Sequence, residues 1–255
     1  MDHAQKTCGT WDSPISAKMV TNSSPHLHFL KAHNNNLYWV EGRPWDNGRN
    51  VIMCRFEDGT IKDVLPAPFS HLSRVHEYGG CAYAVHSESL YFVNGSDQRI
   101  YKINLSSGET PLPITNDSNW RFADIIVDYY RNRLIAIGER HNGGKDPENV
   151  IVAIGLDPFE RTFSKTEVLV SGSDFFAYPR LNQTNNQLCW IQWQHPHMSW
   201  DRSELMLADL TNCKVTNVRK IIGNQNESLM QPHWAQNGEL YIISDRSNWW
   251  NIYIR

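Results

Sequence analysis

The sequence predicts an all-β fold, a β-propeller of four-stranded antiparallel blades with about five blades present. Three observations lead to this prediction. A short strand-like pattern recurs about every 50 residues, polar turns and further strand-like runs flank each copy, and ten Trp with ten Tyr favour sheets over helices. No amphipathic helical stretch of useful length competes with this pattern. Four antiparallel strands per repeat of this length are typical of a propeller blade.

The recurring pattern marks the second strand of each blade. It reads LYWVEG at Leu37, LYFVNG at Leu90, LIAIGE at Leu134, LCWIQW at Leu188 and LYIISD at Leu240. A polar turn precedes each copy, and before that turn lies a first strand such as CAYAV or DIIVDYY. The third strands are NVIMCRF, RIYKINL, NVIVAIGL, ELMLADL and NIYIR. Four blades then continue into a weaker fourth strand, which reads IKDVLP, ETPLPIT, KTEVLVSG or NVRKIIG.

The predicted blades form one propeller domain over 1–255, with the bounds 26–70, 76–116, 120–172, 175–226 and 229–255. The last blade has residues for three strands, so we interpret the chain as a fragment of a larger propeller. The alternative is a closed five-bladed ring, whose last blade a strand from the other end of the chain would have to complete. In the first 25 residues the candidate for that strand is PISAKMV.

Composition and charge exclude several classes of function. The formal charge of −3 gives no electrostatic reason to expect nucleic acid or an anionic membrane as a partner. No apolar run approaches the ~18 residues that cross a bilayer, and the first residues lack the pattern of a signal peptide. The five cysteines never form a C-x-x-C pair. We therefore expect a soluble, cytoplasmic protein without a cofactor, a disulfide framework or a zinc site.

One end of the predicted blades carries most of the chemistry. Strands alternate in direction, so the loops between second and third strands lie at the same end as the segments that lead into the first strands. These loops are rich in charged and aromatic residues, whereas the hairpin turns of the other end are plain. The alternative for any single residue is a structural link between blades, but the whole set predicts a binding face. The predicted substrate or docking residues are Glu41, Arg43, Glu77, Tyr78, Asp97, Arg99, Arg121, Asp124, Glu139, Arg140, Tyr178, Arg180, Asp245 and Arg246.

The same loops carry a family resemblance. The motifs are RVHEYGG at Arg74, WRFAD at Trp120, SGSDFFAYPRL at Ser171, WQHPHMSWD at Trp193 and SDRSNWWNIY at Ser244. In this order they resemble the amino-terminal propeller of the prolyl oligopeptidase family of serine peptidases, in its acylaminoacyl-peptidase and dipeptidyl-aminopeptidase-like branch. The resemblance runs from Cys8, which stands where the family usually has Tyr, to the last residue. It implies a parent chain with a carboxy-terminal α/β-hydrolase domain, whose Ser, Asp and His cleave peptides that the propeller admits.

The sequence itself contains no catalytic apparatus. A hydrolase of that type needs a G-x-S-x-G nucleophile elbow, and no such pentapeptide occurs, nor does a P-loop or a G-x-G-x-x-G motif. We expect a non-catalytic propeller that gates and selects substrates, with the hydrolase domain and a peptide as partners. The alternatives are a stand-alone TolB-like interaction propeller and a lactonase-like enzyme with a metal in its channel. The oligomeric state stays open, and an oligomer is compatible with the sequence.

Two further patterns are weaker. His195 and His197 are two residues apart, as are His26 and His28, but no third ligand follows at a fixed spacing, so no metal site is predicted. A set of tryptophans could form a stacking surface, although strand-borne Trp more often packs between blades. These are Trp39, Trp190, Trp193, Trp234, Trp249 and Trp250.

Glu77 is the acidic residue that we single out. Exopeptidases of the resembled family can hold the ammonium group of a peptide with propeller carboxylates, and the strand geometry places Glu77 on the first-strand side of its blade. Two glycines follow it, which would let a ligand backbone approach closely. The other acids near the predicted axis are Glu41, Asp124 and Glu139. The structural alternative is a salt bridge from Glu77 to an arginine of the same face, namely Arg43, Arg74, Arg99 or Arg121.

Overall fold

The computed structural model describes residues 7–21, 24–116, 119–143, 146–156 and 163–255. These residues form four four-stranded antiparallel sheets and a fifth sheet of three strands. The predicted fold class, an all-β propeller whose last blade has three strands, is therefore confirmed. The chain divides into two compact units, Met1–Val64 and Leu65–Arg255, which are described separately.

The first unit contains one blade and a short helix. Strands β1 (His26–His33), β2 (Asn36–Arg43), β3 (Arg49–Arg55) and β4 (Ile61–Asp63) pair in chain order. Helix α1 spans Ala17–Thr21, and the Ser16 hydroxyl accepts a hydrogen bond from the Met19 N–H at 3.0 Å, as a helix cap does. The segment PISAKMV, which we considered as a closing strand, is therefore not a strand, because its serine caps a helix that the following residues form.

The second unit contains the other four sheets, in which consecutive strands also pair in chain order. Between the first two strands of its second sheet, a single 3-10 turn covers Tyr129–Arg131. The strands are β5 (Tyr83–His86), β6 (Ser89–Val93), β7 (Ile100–Asn104), β8 (Leu112–Pro113), β9 (Trp120–Asp128), β10 (Arg133–Arg140), β11 (Glu148–Gly155), β12 (Thr166–Val170), β13 (Phe175–Leu181), β14 (Gln187–Trp193), β15 (Glu204–Thr211), β16 (Lys214–Ile222), β17 (Leu229–Trp234), β18 (Leu240–Ser244) and β19 (Asn251–Ile254).

The core of the second unit lies between successive sheets. Phe122 packs in a cluster that joins β5–β8 to β9–β12, Trp190 packs in the next cluster, and Ile242 packs in the last. The central strands β10 and β11 are apolar on both faces because a neighbouring sheet covers each side. The first strands β5, β9, β13 and β17 contact one another in sequence, so they form the inner edge of this unit.

Three of these inner strands contain a β-bulge at a comparable place. The pairing register shifts in β9, β13 and β17, and in each the bulge includes a residue with positive φ. These residues are Asp124 at +50°, Tyr178 at +53° and Gln231 at +52°. A left-handed backbone costs a non-glycine residue about 1–2 kcal/mol, and bulges serve to re-aim side chains. The inner edge therefore holds strained positions whose side chains the bulge redirects.

A buried ionic cluster ties the sheet β9–β12 to the sheet β13–β16. The Asp128 side chain is fully buried and accepts hydrogen bonds from Arg131 Nη1 at 3.2 Å and Arg133 Nε at 2.9 Å. The two arginines donate onward to backbone carbonyl oxygens of the next sheet, those of Asn185, Leu210 and Cys213. Because both arginines share the Asp128 carboxylate and donate onward to backbone oxygens of the next sheet, the cluster fixes how these two sheets meet.

Candidate functional site

The candidate site is built on the tight turn that leads into the second unit's first sheet. Gly79 has φ of +77°, and a Cβ there would lie 2.4 Å from the Ser73 carbonyl oxygen, so only glycine fits. The turn is closed by a hydrogen bond from the Gly79 N–H to the Val75 carbonyl at 2.8 Å. His76 and Glu77 also have positive φ, at +54° and +67°. The motif HEYGG therefore forms a strained turn that directs consecutive side chains apart.

Glu139 anchors this turn to the neighbouring sheet. Its carboxylate is buried, and Oε2 accepts the His76 backbone N–H at 2.6 Å. Its Oε1 lies 2.7 Å from His141 Nε2 and 3.3 Å from Arg121 Nη1. Glu139 thus has a structural partner on each oxygen, and its predicted part in the docking face stays a prediction.

Glu77 is exposed and shares Arg121 with Glu139. Its Oε1 accepts a hydrogen bond from Arg121 Nη1 at 2.7 Å, while 80% of its side chain remains exposed. The hydrogen bond with Arg121 holds the pKa of Glu77 below its usual range. Arg74 is also nearby. The charges of Arg74 and Arg121 offset those of Glu77 and Glu139, so the net charge of these four side chains is close to zero. The salt bridge is present, and the ammonium-holding role of Glu77 stays a prediction.

His76 lies under the turn, between three sheets. Its ring meets the rings of Phe175 and Trp193 edge-on, with centroids at 5.2 and 5.7 Å, and its Nδ1 lies 3.3 Å from the Tyr78 hydroxyl. Its Nε2 is near Asn149 but outside good hydrogen-bond geometry. Burial lowers the pKa of His76, because the imidazolium form would lose its hydration. The sequence pattern did not reveal this residue, since a lone histidine in a loop carries no signal of burial.

Two bulge residues, Asp124 and Tyr178, link the inner strands of the second unit. The Asp124 N–H donates to the Cys81 carbonyl at 2.6 Å, and Asp124 Oδ2 accepts the Tyr178 N–H at 3.0 Å. Burial raises the pKa of the Tyr178 hydroxyl, and the Asp124 carboxylate acts in the same direction. The Arg180 guanidinium lies over the Tyr178 ring, 5.7 Å from its centroid. Tyr78 is 71% exposed.

Asp97 and Arg99 contact their own sheet. Asp97 accepts hydrogen bonds from the Tyr101 hydroxyl at 2.7 Å and from Asn94 Nδ2 at 3.1 Å. Burial, together with the hydrogen bond to Asp97, raises the pKa of Tyr101 to about 12. Arg99 Nε donates to the Thr115 carbonyl at 2.6 Å. Both side chains therefore have a structural role, and their predicted part in binding stays a prediction.

The other predicted face residues of the second unit form ion pairs or caps. Arg140 pairs with Glu148 and lies over the Trp120 ring at 5.4 Å. Arg246 pairs with the buried Glu227 at 2.9 Å. Asp245 accepts the Ser228 N–H at 2.7 Å. Each of these contacts stays within one sheet or the segment that leads into it, and the predicted part of these residues in docking stays a prediction.

In the first unit, Arg43 joins two acids. Its Nη2 lies 2.9 Å from Glu41 Oε2, and its Nη1 lies 2.7 Å from Asp63 Oδ2. The Arg43 guanidinium holds the pKa of Asp63 below its ordinary value. Glu41 is therefore neutralised by a residue two positions away, which the alternation of strand β2 places on the same side.

The opposite end of the second unit is less plain than the sequence predicted. The rings of His86 and Tyr129 are stacked at 5.2 Å with an angle of 10° between their planes, and Tyr130 lies 4.3 Å from Tyr129. Both tyrosines are exposed. In the sequence, the adjacent tyrosines Tyr129 and Tyr130 within a polar turn were the signal that could have indicated this aromatic cluster.

The weaker sequence patterns have mixed outcomes. Within the described part of the chain, no group of three or more His, Cys, Asp or Glu could hold a metal ion, and His195 and His197 lie in the loop after β14. Trp190 and Trp193 are buried, whereas Trp249 is 78% exposed. Among the described residues, no helix is long and apolar enough to cross a membrane.

Comparison with known proteins identifies relatives among solved structures. A puromycin-hydrolyzing peptidase of Mycobacterium tuberculosis is 32% identical, with a TM-score of 0.84 over 96% of this chain. Puromycin hydrolase is 29% identical, with a TM-score of 0.85 over the same share. TolB from Acinetobacter baumannii, at 16% identity and a TM-score of 0.58 over 86% of this chain and 48% of its own, shows the fold alone. No family profile and no curated protein matches the chain.

These matches confirm the resemblance to the propeller of prolyl-oligopeptidase-family peptidases, because both puromycin-hydrolysing enzymes are peptidases of that family. The match extends over the propeller fold of this chain. The chain spans 39% of the length of each of these two peptidases.

Proposed function

We propose that this propeller is a non-catalytic part of a peptidase of the prolyl oligopeptidase family, in which it selects the peptides that reach the active site. The observation that carries the proposal is the match at 29–32% identity over 96% of the chain to puromycin-hydrolysing peptidases. The reaction itself is assigned to a Ser-His-Asp hydrolase domain of a longer parent chain. Within that branch we propose aminoacyl or acylaminoacyl peptide hydrolysis in the cytoplasm.

The physical basis of selection is a binding face that is already rigid before a peptide arrives. The HEYGG turn is locked by Gly79, by Glu139 and by the packing of His76, so its exposed side chains keep their positions without a ligand. A preorganised face discriminates between ligands at a low cost in conformational entropy. The residues of that turn and of the neighbouring inner strands, Glu77, Tyr78, Tyr178 and Arg180, would contact the peptide.

A chimera tests the proposal. This chain would replace the matching segment of the Mycobacterium tuberculosis peptidase, and kcat/KM would be compared for puromycin and for peptides of increasing length. We expect the order of preference among peptides to change with the propeller, while a chimera without its catalytic serine stays inactive. An unchanged order of preference in an active chimera would contradict the proposal. It would favour the stand-alone interaction propeller, for which the likeness to TolB offers support at the level of the fold alone.

A further inference from the structure

Arg180 differs from Arg121, Arg140 and Arg246 of the candidate site. Arg121 and Arg246 each pair with a carboxylate within hydrogen-bond distance. Arg180 Nη1 donates to the Pro179 carbonyl at 2.8 Å, and in the described ranges no Asp or Glu forms an ion pair with its guanidinium. Arg180 is nevertheless half-buried on the inner strand β13. Because an enclosed charge is stabilised by a counter-ion, this position has capacity for an anion.

The guanidinium is also held in place. It lies over the Tyr178 ring at 5.7 Å, and Tyr178 is fixed by its bulge and by the bond from its N–H to Asp124 Oδ2 at 3.0 Å. Arg140 shows the same arrangement, with its guanidinium over Trp120 at 5.4 Å. There, however, Glu148 supplies a carboxylate. Arg140 therefore shows which group would complete the geometry at Arg180.

We propose that Arg180, whose guanidinium lies over the Tyr178 ring, binds a carboxylate of a peptide ligand. The planar guanidinium matches a carboxylate with two parallel hydrogen bonds, and a stacked ring keeps that plane oriented. The carboxylate is either the peptide's carboxy terminus or an acidic side chain, which have the same chemistry. Asp124 does not take this place, because among the described residues it forms no ion pair with Arg180; its Oδ2 accepts the Tyr178 N–H instead. That the ligand is a peptide rests on the proposed function, whereas the recognition of a carboxylate rests on the geometry.

Calorimetric titration of the purified chain tests the inference. The probes are acetyl-Ala-Ala-Phe with a free carboxy terminus, its carboxy-terminal amide, and the amide with Glu in place of the middle Ala. We expect the free acid to bind at least ten-fold more tightly than the first amide, with an affinity that falls as salt rises. Tight binding of the Glu-containing amide identifies an acidic side chain as the source, and weak binding identifies the carboxy terminus.

Variants assign the preference to Arg180. Arg180→Gln should abolish the difference between acid and amide, and Arg180→Lys should restore part of it, because an ammonium keeps the charge but not the planar fork. Arg219→Gln is the matched control, since Arg219 lies on the outer strand β16 and pairs with Asp209 at 3.6 Å. It should leave the preference unchanged.

Two results would overturn the inference: equal binding of acid and amide to the unaltered chain, or equal loss in the Arg180 and Arg219 variants. Thermal unfolding reports whether each variant is folded. If Arg180→Gln does not fold, the comparison of acid and amide binding to the unaltered chain tests the inference. The outcome is separate from that of the chimera. Acid-selective binding without altered peptide preference would contradict the proposed function and leave the carboxylate site in place.

Discussion

At the scale of single residues, the partly buried His76 makes stability depend on pH. Burial lowers its pKa, so the folded state binds a proton less readily than the unfolded state, whose histidines titrate near about 6.5. The free energy of unfolding should therefore be constant above that pH and fall as the pH drops below it. The groups around the ring are Tyr78, Asp124, Glu139, Asn149, Phe175 and Trp193.

Urea unfolding at pH 7.5 and pH 5.5 checks this expectation, with His76→Gln as the variant. The variant should be less stable at both pH values because it loses the packing of the ring. The difference in its free energy of unfolding between pH 7.5 and pH 5.5 should be smaller than in the unaltered chain. An undiminished difference would mean that other histidines cause the pH dependence.

Asp128 should matter far more than an exposed acid. Asp128→Ala leaves Arg131 and Arg133 partly buried without a counter-ion, and breaking such a buried network costs about 3–5 kcal/mol. Glu148→Ala breaks an exposed pair with Arg140 and should cost at most about 1 kcal/mol. Denaturant midpoints and slopes measure both variants. Similar losses of unfolding free energy in the two variants would show that Asp128 is not needed to hold the two sheets together.

Glu77→Gln tests the predicted ammonium contact. In the active chimera we expect KM to rise for peptides with a free amino terminus far more than for their N-acylated forms, because the lost carboxylate interacts with a positive charge. Steady-state kinetics on matched peptide pairs gives the ratio. Equal effects on both peptides would leave Glu77 with its structural pairing to Arg121 alone.

At the scale of elements, the HEYGG turn depends on one glycine. Gly79→Ala adds a Cβ that meets the Ser73 carbonyl at 2.4 Å and a left-handed φ that alanine disfavours. Gly238→Ala is the control, because its φ of +84° imposes the same backbone strain while its Cβ would meet no atom within 4 Å. Thermal unfolding should show Gly79→Ala losing more stability than the control, by about 1–3 kcal/mol. Equal losses would assign the whole effect to φ.

The elements were predictable where a local pattern defines them. Alternating apolar residues and polar turns located the strands, since both signals are contained in neighbouring residues. The helix at Ala17–Thr21 was missed because one turn of helix has no periodicity to detect. The partners within the site were not predictable in the same way. Arg121 meets Glu77 across 44 positions of sequence, and only the packing of one sheet on the next brings them together.

At the scale of the whole molecule, the purified chain should not hydrolyse aminoacyl or acylaminoacyl chromogenic substrates above background. Its 255 residues contain no nucleophile elbow, and hydrolysis of these substrates by this family of enzymes depends on that serine. The assay compares the chain with a buffer blank and with an active peptidase. Turnover that co-purifies with the chain and disappears with a serine-directed covalent inhibitor would contradict this expectation.

The inner-strand bulges have a consequence for how these strands tolerate change. In β13 the buried positions Phe176 and Pro179 are three apart, as are Leu229 and Pro232 in β17, whereas an unbroken strand repeats every second residue. The alternation of buried and more exposed residues is therefore interrupted at each bulge. Removing one residue there would restore one-to-one pairing with the second strand, and the residues beyond the bulge would keep their partners and their faces. In β13 such a deletion would leave Arg180 opposite Cys189 but would remove the left-handed position at which Tyr178 lies.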